Sequence, residues 1–318
     1  MLRKFTYNKI FRTTGMLLLL LLLLLFPASK EYSLEDEKSV KTAVLVKKKE
    51  AFLMDRNDYI ARCTIDLSSN SDEEYAKMLI ELLIINGKYE QKVPNGFKAI
   101  LPSDTKINSV KIKDDSVYVD LSNDFYDVSI NNEEKLIQIL TYNLTTIDKI
   151  KKVYINIDGK PLTYLPKNRK NLTQPFTRND GVNKKYDVNN YKNVKETTIY
   201  FTNKNNTGYY YVPVTKVSND DREKIKIIID ELTSSHIYET NLMSFLNYNT
   251  KLLGYELKDD TLTLNFNNFI FDDTDKKSIL EEVIYSICLS VRDNYSVKEV
   301  IFTVNGNEIT KSVLKNIE

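Results

Sequence analysis

Two stretches that lie 145 residues apart repeat one pattern, and this repeat constrains the fold more than any other feature of the sequence. "IKDDSVYVDLSNDF" (112–125) and "LKDDTLTLNFNNF" (257–269) both place an Asp-Asp pair before an alternating apolar run. An Asp-Gly pair at 158–159 likewise matches an Asn-Gly pair at 305–306, so the second copy gains only two residues over this distance. Repeated stretches are usually architectural units. We therefore predict two copies of one domain.

The length and composition of the chain also fit two domains. A chain of 318 residues is about twice the usual length of one domain. Hydrophobic residues at 42% and aromatic residues at 11% supply enough apolar surface for two cores. The predicted divisions are a signal peptide or membrane anchor at 1–29, a polar spacer at 30–40, a first domain at 41–163, a linker with many Asn at 164–194, a second domain at 195–312 and a tail at 313–318.

The order of predicted elements is the same in both domains: a hairpin, a helix, a second hairpin, a second helix and a strand. The first hairpins turn at 55–58 and at 205–208, and the second hairpins turn at the Asp-Asp pairs. Apolar residues at helical spacing predict the faces that pack on the core. These residues are Ala76, Leu79, Ile80 and Leu83, then Leu136, Ile139, Leu140 and Leu144, then Ile225, Ile228, Ile229 and Leu232.

Polar residues predict where these helices begin. Ser71 with Glu74 has capping-box spacing, and Ser218 with Asp221 is interpreted as the corresponding cap in the second domain. The run "DDTD" at 272–275 lacks the ligand spacing and the glycine of a calcium loop, so we predict a helix N-cap there. The fold class is thus α/β (α+β), with a mixed or antiparallel sheet and packed helices in each domain.

The N-terminus predicts targeting to a membrane. Arg3, Lys4, Lys9 and Arg12 precede an apolar run at 16–26. The run is short for a span of about 20 residues, but small residues are poorly placed for cleavage, so a cleaved signal peptide and an uncleaved anchor both stay open. The positive charges before the apolar run predict that the rest of the chain lies outside the cytoplasm. It would be tethered if the leader is kept and secreted if the leader is cleaved. No cysteine lies directly after the run, so we expect no lipoprotein anchor.

The net charge and the positions of the cysteines indicate which partners and which state of the thiols are favoured. The net charge is +1, and the four basic leader residues leave the remainder with three net negative charges, which disfavours nucleic acid as a partner. Cys63 lies on the inward face of an alternating strand and Cys288 on the apolar face of a helix. Because the two positions are not equivalent in the repeats, two buried thiols are favoured over a disulfide.

The sequence offers no set of catalytic, cofactor-binding or metal-binding residues. The chain has one histidine, His236 in a polar stretch, so metal clusters and Ser-His-Asp arrangements are very weakly supported. Phosphate-binding glycine motifs are absent from the sequence. The pairs 114–115 and 259–260 could serve acid/base chemistry, but tight hairpin turns explain them better. We predict that the protein is not an enzyme and needs no cofactor.

The run "GYYYV" at 208–212 offers aromatic rings that could stack on a glycan. On a strand, Tyr209 and Tyr211 share one face and Tyr210 takes the other. At least one of the three rings is therefore expected in the core.

The repeated stretches resemble the GerMN domain family. The alternating run through the second hairpin, 252–266, and the strand that ends in Asn-Gly, 300–306, carry most of the resemblance. The first repeat is similar through 105–121 and 153–159, although its first hairpin fits less well. The two copies together cover about residues 41–311. Family members are often lipoproteins, and this chain departs from them by lacking the lipid-anchored cysteine.

The resemblance implies two compact modules, related to the ring-building domains of secretion and sporulation complexes. It also implies a non-enzymatic, extracytoplasmic role in sporulation or germination, with an envelope or sporulation channel or ring complex as the protein partner. Homo-oligomer formation stays open. The alternative hypothesis is a cell-envelope protein that binds or modifies peptidoglycan through the tyrosine-rich strand and scattered carboxylates.

Overall fold

The computed structural model describes residues 49–234 and 241–314. The predictions on the leader, the polar spacer, His236 and most of the tail fall outside these residues. None of the helices in the described ranges is long and apolar enough to cross a membrane. The described residues form a single compact unit that contains both repeats.

The described part of the chain contains four α-helices and sixteen strands. The helices are α1 (Asp72–Glu81), α2 (Ile130–Leu144), α3 (Lys224–Thr233) and α4 (Glu281–Asn294). The strands are β1 (Lys49–Asp55), β2 (Ile60–Ile65), β3 (Phe97–Lys98), β4 (Ile107–Lys113), β5 (Ser116–Leu121), β6 (Lys152–Ile157), β7 (Lys160–Pro161), β8 (Tyr164–Leu165), β9 (Lys170–Asn171), β10 (Lys185–Asp187), β11 (Lys195–Asn205), β12 (Gly208–Ser218), β13 (Leu252–Lys258), β14 (Thr261–Phe266), β15 (Glu299–Val304) and β16 (Asn307–Val313).

Each repeat builds a four-stranded mixed sheet of the same topology. The strand orders are β4-β5-β6-β7 and β13-β14-β15-β16, and in each sheet the two central strands are parallel while the outer pairs are antiparallel. The parallel step needs a crossover, which α2 supplies in the first repeat and α4 in the second. The expected mixed sheet with packed helices is confirmed.

A third sheet joins the two repeats. Its strand order is β11-β12-β2-β1-β3, and β10 pairs with β12 beside β2. The first hairpin of each repeat contributes to it, and the two hairpins meet where Tyr211 pairs with Arg62. Alternation in β2 predicts one inward face, but residues 60–63 are all buried because both faces of this strand are covered. The repeats therefore share one core layer.

The Asp-Asp pairs are turns, as the sequence predicts. Asp114 and Asp259 both have positive φ, at 54° and 51°, which short acidic side chains tolerate in a two-residue hairpin. The second aspartate of each pair binds a lysine at the start of the next parallel strand. Asp115 lies 3.0 Å from Lys152, the first residue of β6, and Asp260 lies 2.5 Å from Lys298, which directly precedes β15. These carboxylates fix a strand junction in both repeats.

Two predicted helix starts are wrong. Ser218 is the last residue of β12, paired with Lys195, and α3 begins six residues later at Lys224. The run at 272–275 precedes α4 without capping it, because the helix begins at Glu281. The carboxylate of Asp273 instead accepts hydrogen bonds from the backbone N–H groups of two residues within its own turn. In both places, bonding within a turn competes with helix initiation.

Three further local predictions on the described residues agree with the structure. Ser71 caps α1 by accepting a hydrogen bond from the Glu74 N–H (3.2 Å). The predicted apolar helix faces are buried. Cys63 and Cys288 are free and buried, and burial raises the pKa of each thiol to about 12. The segment interpreted as a linker, 164–194, buries Leu165, Phe176 and Val182 against the rest of the unit.

Candidate functional site

A buried group of charges lies between the repeats and fixes their arrangement. Arg292 in α4 donates from Nη2 and Nη1 to the two carboxylate oxygens of Glu50 in β1, at 2.7 and 3.0 Å. Arg62 Nε lies 3.1 Å from the same carboxylate. Because Glu50 and Arg62 belong to the first repeat and Arg292 to the second, this ion pair holds the two halves together.

The segment between the repeats adds a second ion pair to this group. Arg178 Nη1 donates to Asp293 Oδ1 (2.8 Å), and the hydroxyl of Tyr200 donates to Asp293 Oδ2 (2.8 Å). The Arg178 guanidinium also lies over the rings of Phe52 and Tyr142, at 5.2 and 4.8 Å from their centroids. Arg178 therefore bridges the first repeat and the second by cation-π contact on one side and charge on the other.

The pKa of Glu50 reports how strongly the arginines favour its charged form. Burial by itself raises this pKa, but the guanidinium groups of Arg292, Arg62 and Arg178 together outweigh burial and lower it from 4.5 to about 2. A carboxylate with a depressed pKa stabilises the folded state above its unfolded pKa. That stabilisation is lost as the pH falls from about 4.5 to about 2.

We expect the stabilisation from Glu50 to disappear in acid within this window. The difference in the free energy of unfolding between the wild type and Glu50→Gln should be constant from about pH 7 to pH 5 and should shrink by roughly 3 kcal/mol by pH 2. Urea unfolding at a series of pH values measures both proteins. A difference that does not change across this window would contradict the assignment of the low pKa to Glu50.

The tyrosine-rich strand does not present a row of free rings. Tyr210 is buried and its hydroxyl donates to Asp55 Oδ2 (2.9 Å). Tyr211 is partly buried and stacks on Tyr285, with ring centroids 5.7 Å apart. Of the three rings, that of Tyr209 remains exposed. The expectation that at least one ring belongs to the core is confirmed, and a glycan platform along this strand is not formed.

Exposed apolar side chains concentrate instead around β13, the edge strand of the second repeat. Five of them are between 38% and 79% exposed. Three lie on β13, one lies in the loop before it, and one follows the end of its partner strand β14. We call this set the β13 surface; its members are Tyr248, Leu253, Tyr255, Leu257 and Phe269. The loop before β13 is bonded to the turn after β14, since Thr250 Oγ1 donates to the Phe269 carbonyl (3.0 Å). This bond brings the two ends of the set together.

The first repeat carries polar residues at three of the five corresponding positions, while Tyr255 and Leu257 correspond to the apolar Val110 and Ile112. With the offset of 145 residues, Leu253 corresponds to Asn108 and Phe269 to Asp124. Leu253 and Asn108 both occupy the bulge between the first two register pairs of their strands, so the backbone geometry is shared. The same offset relates Tyr248 to Ser103. Because the fold accepts polar residues at these three positions in one copy, it does not require apolar ones in the other.

The edge of the sheet is closed in the first repeat. The helix α1 packs on β4, and Glu73 Oε1 in this helix accepts a hydrogen bond from the Ile112 N–H (3.1 Å). Ile112 precedes the pair that closes a two-residue turn, so its N–H points away from β5. The carboxylate thus occupies the position that an added strand would need.

Among the described residues, the same edge has no corresponding cap in the second repeat. The apolar faces of α1 and α3 align with an offset of 149 residues, which puts Arg222 in the place of Glu73. Arg222 turns to Asp220 and Asp230 instead. Within the described ranges, the N–H of Leu257, which corresponds to Ile112, has no such side-chain acceptor. The β13 surface therefore combines exposed apolar side chains with an open strand edge, a combination that proteins usually avoid.

Sequence reasoning placed β13 correctly but missed this surface. The shared features of the two repeats reveal the fold, whereas this surface is a difference between them. The sequence does contain an indication of this surface, because Phe269 aligns with Asp124 when the two repeats are compared. Among the described residues, no group of three or more His, Cys, Asp and Glu side chains is arranged to hold a metal ion.

Comparison with known proteins identifies the repeat. The family model described as "Germane: Sporulation and spore germination" matches this chain twice, at residues 46–163 and 198–310. The chain belongs to the Germane family. It is 34% identical to the spore germination protein GerM of Bacillus subtilis (strain 168) over 263 residues, which cover 81% of this chain and 71% of that protein.

A solved structure of this family has the same tandem arrangement. The tandem GerMN domains of the sporulation protein GerM from Bacillus subtilis superpose with a TM-score of 0.74 at 33% identity, covering 82% of this chain and 91% of that one. The resemblance to GerMN domains and the predicted tandem organisation are therefore confirmed.

Proposed function

We propose that this protein is a membrane-tethered, extracytoplasmic assembly protein that supports sporulation or spore germination by binding other proteins. The observation that carries the proposal is the β13 surface on a chain of the Germane family. Large apolar side chains clustered on an exposed surface are typical of sites that bind partner proteins. The partner we propose is a component of an envelope channel or ring complex.

The open edge explains how such a partner would bind. An added strand could pair with the free backbone groups of β13 while its apolar side chains pack beside Tyr255 and Leu257. These two residues stand opposite Leu264 and Leu262 of β14 and so continue the apolar face of the sheet. The outward charges of Glu256 and Lys258 favour a partner strand that carries complementary charges.

The rigid link between the repeats supports the same role. The ion pairs of Glu50 and Asp293 with arginines fix the second repeat on the first. A fixed arrangement presents the β13 surface in one orientation and lowers the conformational entropy that a partner must remove on binding. The tether follows from the basic and apolar leader, and the negative charge of the remaining chain disfavours nucleic acid as a partner.

A deletion strain of the native host tests the role. Heat-resistant spores should fall by about tenfold or more, as expected when a required assembly contact is lost, and a plasmid copy of the full chain should restore them. Germination of the remaining spores should be followed in the same strains by the loss of optical density. Normal spore numbers together with normal germination in the deletion strain would refute the proposed role.

A further inference from the structure

A cleft on the first repeat is independent of the β13 surface. Its volume is about 560 Å³, and it lies between the β1–β2 turn, the first half of α2 and residues 168–186. Three separate parts of the chain form its walls. A cleft of this size lies within the range of small-molecule binding sites.

The floor of the cleft is rigid. Asn183 Nδ2 donates to the carbonyls of Ile60 and Pro213 (2.7 Å each), and Asn183 Oδ1 accepts from the Ile60 N–H (3.0 Å). Its own N–H donates to Gln138 Oε1 on α2 (3.2 Å). One asparagine thus binds both repeats and the helix, so the cleft is preorganised.

The walls carry amide groups that remain available to a ligand. In the part of the chain that the structure describes, the side-chain amides of Asn57 and Asn131 make no hydrogen bond, and Gln138 Nε2 has no acceptor. Each primary amide offers both donors and an acceptor. This is the chemistry that binds sugar hydroxyl and N-acetyl groups, which also donate and accept.

The charged side chains in the cleft already have polar partners, and the Asp58 carboxylate binds Lys98 outside the lining at 2.6 Å. Lys135 Nζ donates to the carbonyl of Asp58 (2.7 Å). Lys184 and Glu134 at the rim bind carboxylate and ammonium groups outside the lining, at 2.8 and 2.5 Å. Two lysines and two acids leave no excess of positive charge, so the cleft disfavours phosphates and nucleotides.

One aromatic ring stands at the rim. Tyr186 on β10 is 66% exposed, and among the described residues its ring has no stacking partner. The C–H face of a sugar ring packs favourably on an aromatic face, while the phenol hydroxyl stays in water. Tyr186 therefore supplies the apolar contact that the amides lack.

We propose that this cleft binds an uncharged, N-acetylated glycan. The glycan strands of a cell wall and free amino-sugar oligomers share this chemistry. Tyr186 stacks on one ring, and Asn57, Asn131 and Gln138 bind its hydroxyl and N-acetyl groups.

Calorimetric titration of the full chain in detergent micelles with N-acetylglucosamine tetramer tests the proposal. We expect a dissociation constant on the order of 0.1–1 mM, with Tyr186→Ala weaker by about tenfold and Asn131→Leu weaker by a similar factor. Tyr191→Ala is the matched control, since Tyr191 is fully exposed in the same segment and outside the cleft. Its affinity should equal that of the wild type.

Retention on insoluble peptidoglycan and on chitin distinguishes the two sources of the glycan. Retention on peptidoglycan that the soluble tetramer competes away would assign the site to the cell wall. Retention on chitin alone, or binding of the tetramer alone, would assign it to free amino-sugar oligomers. Absence of all binding, or equal affinity of the wild type and both cleft variants, would overturn the proposal.

Discussion

Replacing Glu50 with alanine should lower the free energy of unfolding by about 3–5 kcal/mol, because removal of one partner leaves buried charges without compensation. Glu50 receives two hydrogen bonds from Arg292 and lies 3.1 Å from Arg62, and the side chain of Arg62 is almost completely buried. Without the carboxylate, these two guanidinium groups face each other across the contact between the repeats. Urea unfolding of the full chain in detergent, followed by tyrosine fluorescence, measures the change.

An exposed ion pair of another glutamate serves as the control. Glu134 pairs with Lys170 at 2.5 Å, but both side chains are more than two-fifths exposed. Its replacement by alanine should cost less than about 1 kcal/mol, since water screens the pair. If Glu50→Ala costs no more than this control, the buried charges do not hold the repeats together.

Replacing Leu253 by Asn and Phe269 by Asp should remove most of the function while leaving the fold intact. These substitutions give the second repeat the residues that the first repeat carries at positions 108 and 124, where the same fold accepts them. Both side chains are more than half exposed, so the change in stability should stay within about 0.5 kcal/mol. Heat-resistant spores of the complemented deletion strain should fall by about tenfold or more, because an interface loses most of its affinity with a few apolar contacts.

Tyr191→Asn provides a matched control for this double variant. It also removes a large exposed side chain, but from the segment between the repeats and away from the β13 surface. We expect full complementation by this variant, with equal protein levels for all three strains on immunoblots. Full complementation by the double variant would show that the β13 surface is dispensable.

Local patterns were sufficient to predict the elements. The turn at Asp114–Asp115, the turn at Asp259–Asp260 and the apolar helix faces all follow from interactions within a few residues, which a sequence displays directly. The two helix starts were missed because Ser and Asp stabilise turns as well as caps. At Ser218, strand pairing extended further than the capping pattern indicated.

The contacts between the repeats could not be predicted in this way. Glu50 and Arg292 are 242 residues apart, and nothing near either residue indicates the other. The sheet that joins β12 to β2 likewise depends on one pairing between Tyr211 and Arg62. Such contacts depend on how the two copies pack against each other. A search for repeats treats the copies as equivalent halves and does not show this packing. The β13 surface could not be predicted from the repeat pattern either, because it is a difference between the two copies.

The most direct test of the account is photo-cross-linking in sporulating cells of the native host. A benzophenone amino acid placed at position 253 should give a light-dependent adduct with one envelope protein, and the adduct should be lost when Phe269→Asp is added. The same amino acid at position 108, the corresponding bulge of the first repeat, should give no such adduct. No adduct at position 253, or the same adduct at both positions, would contradict a partner-binding role for the β13 surface.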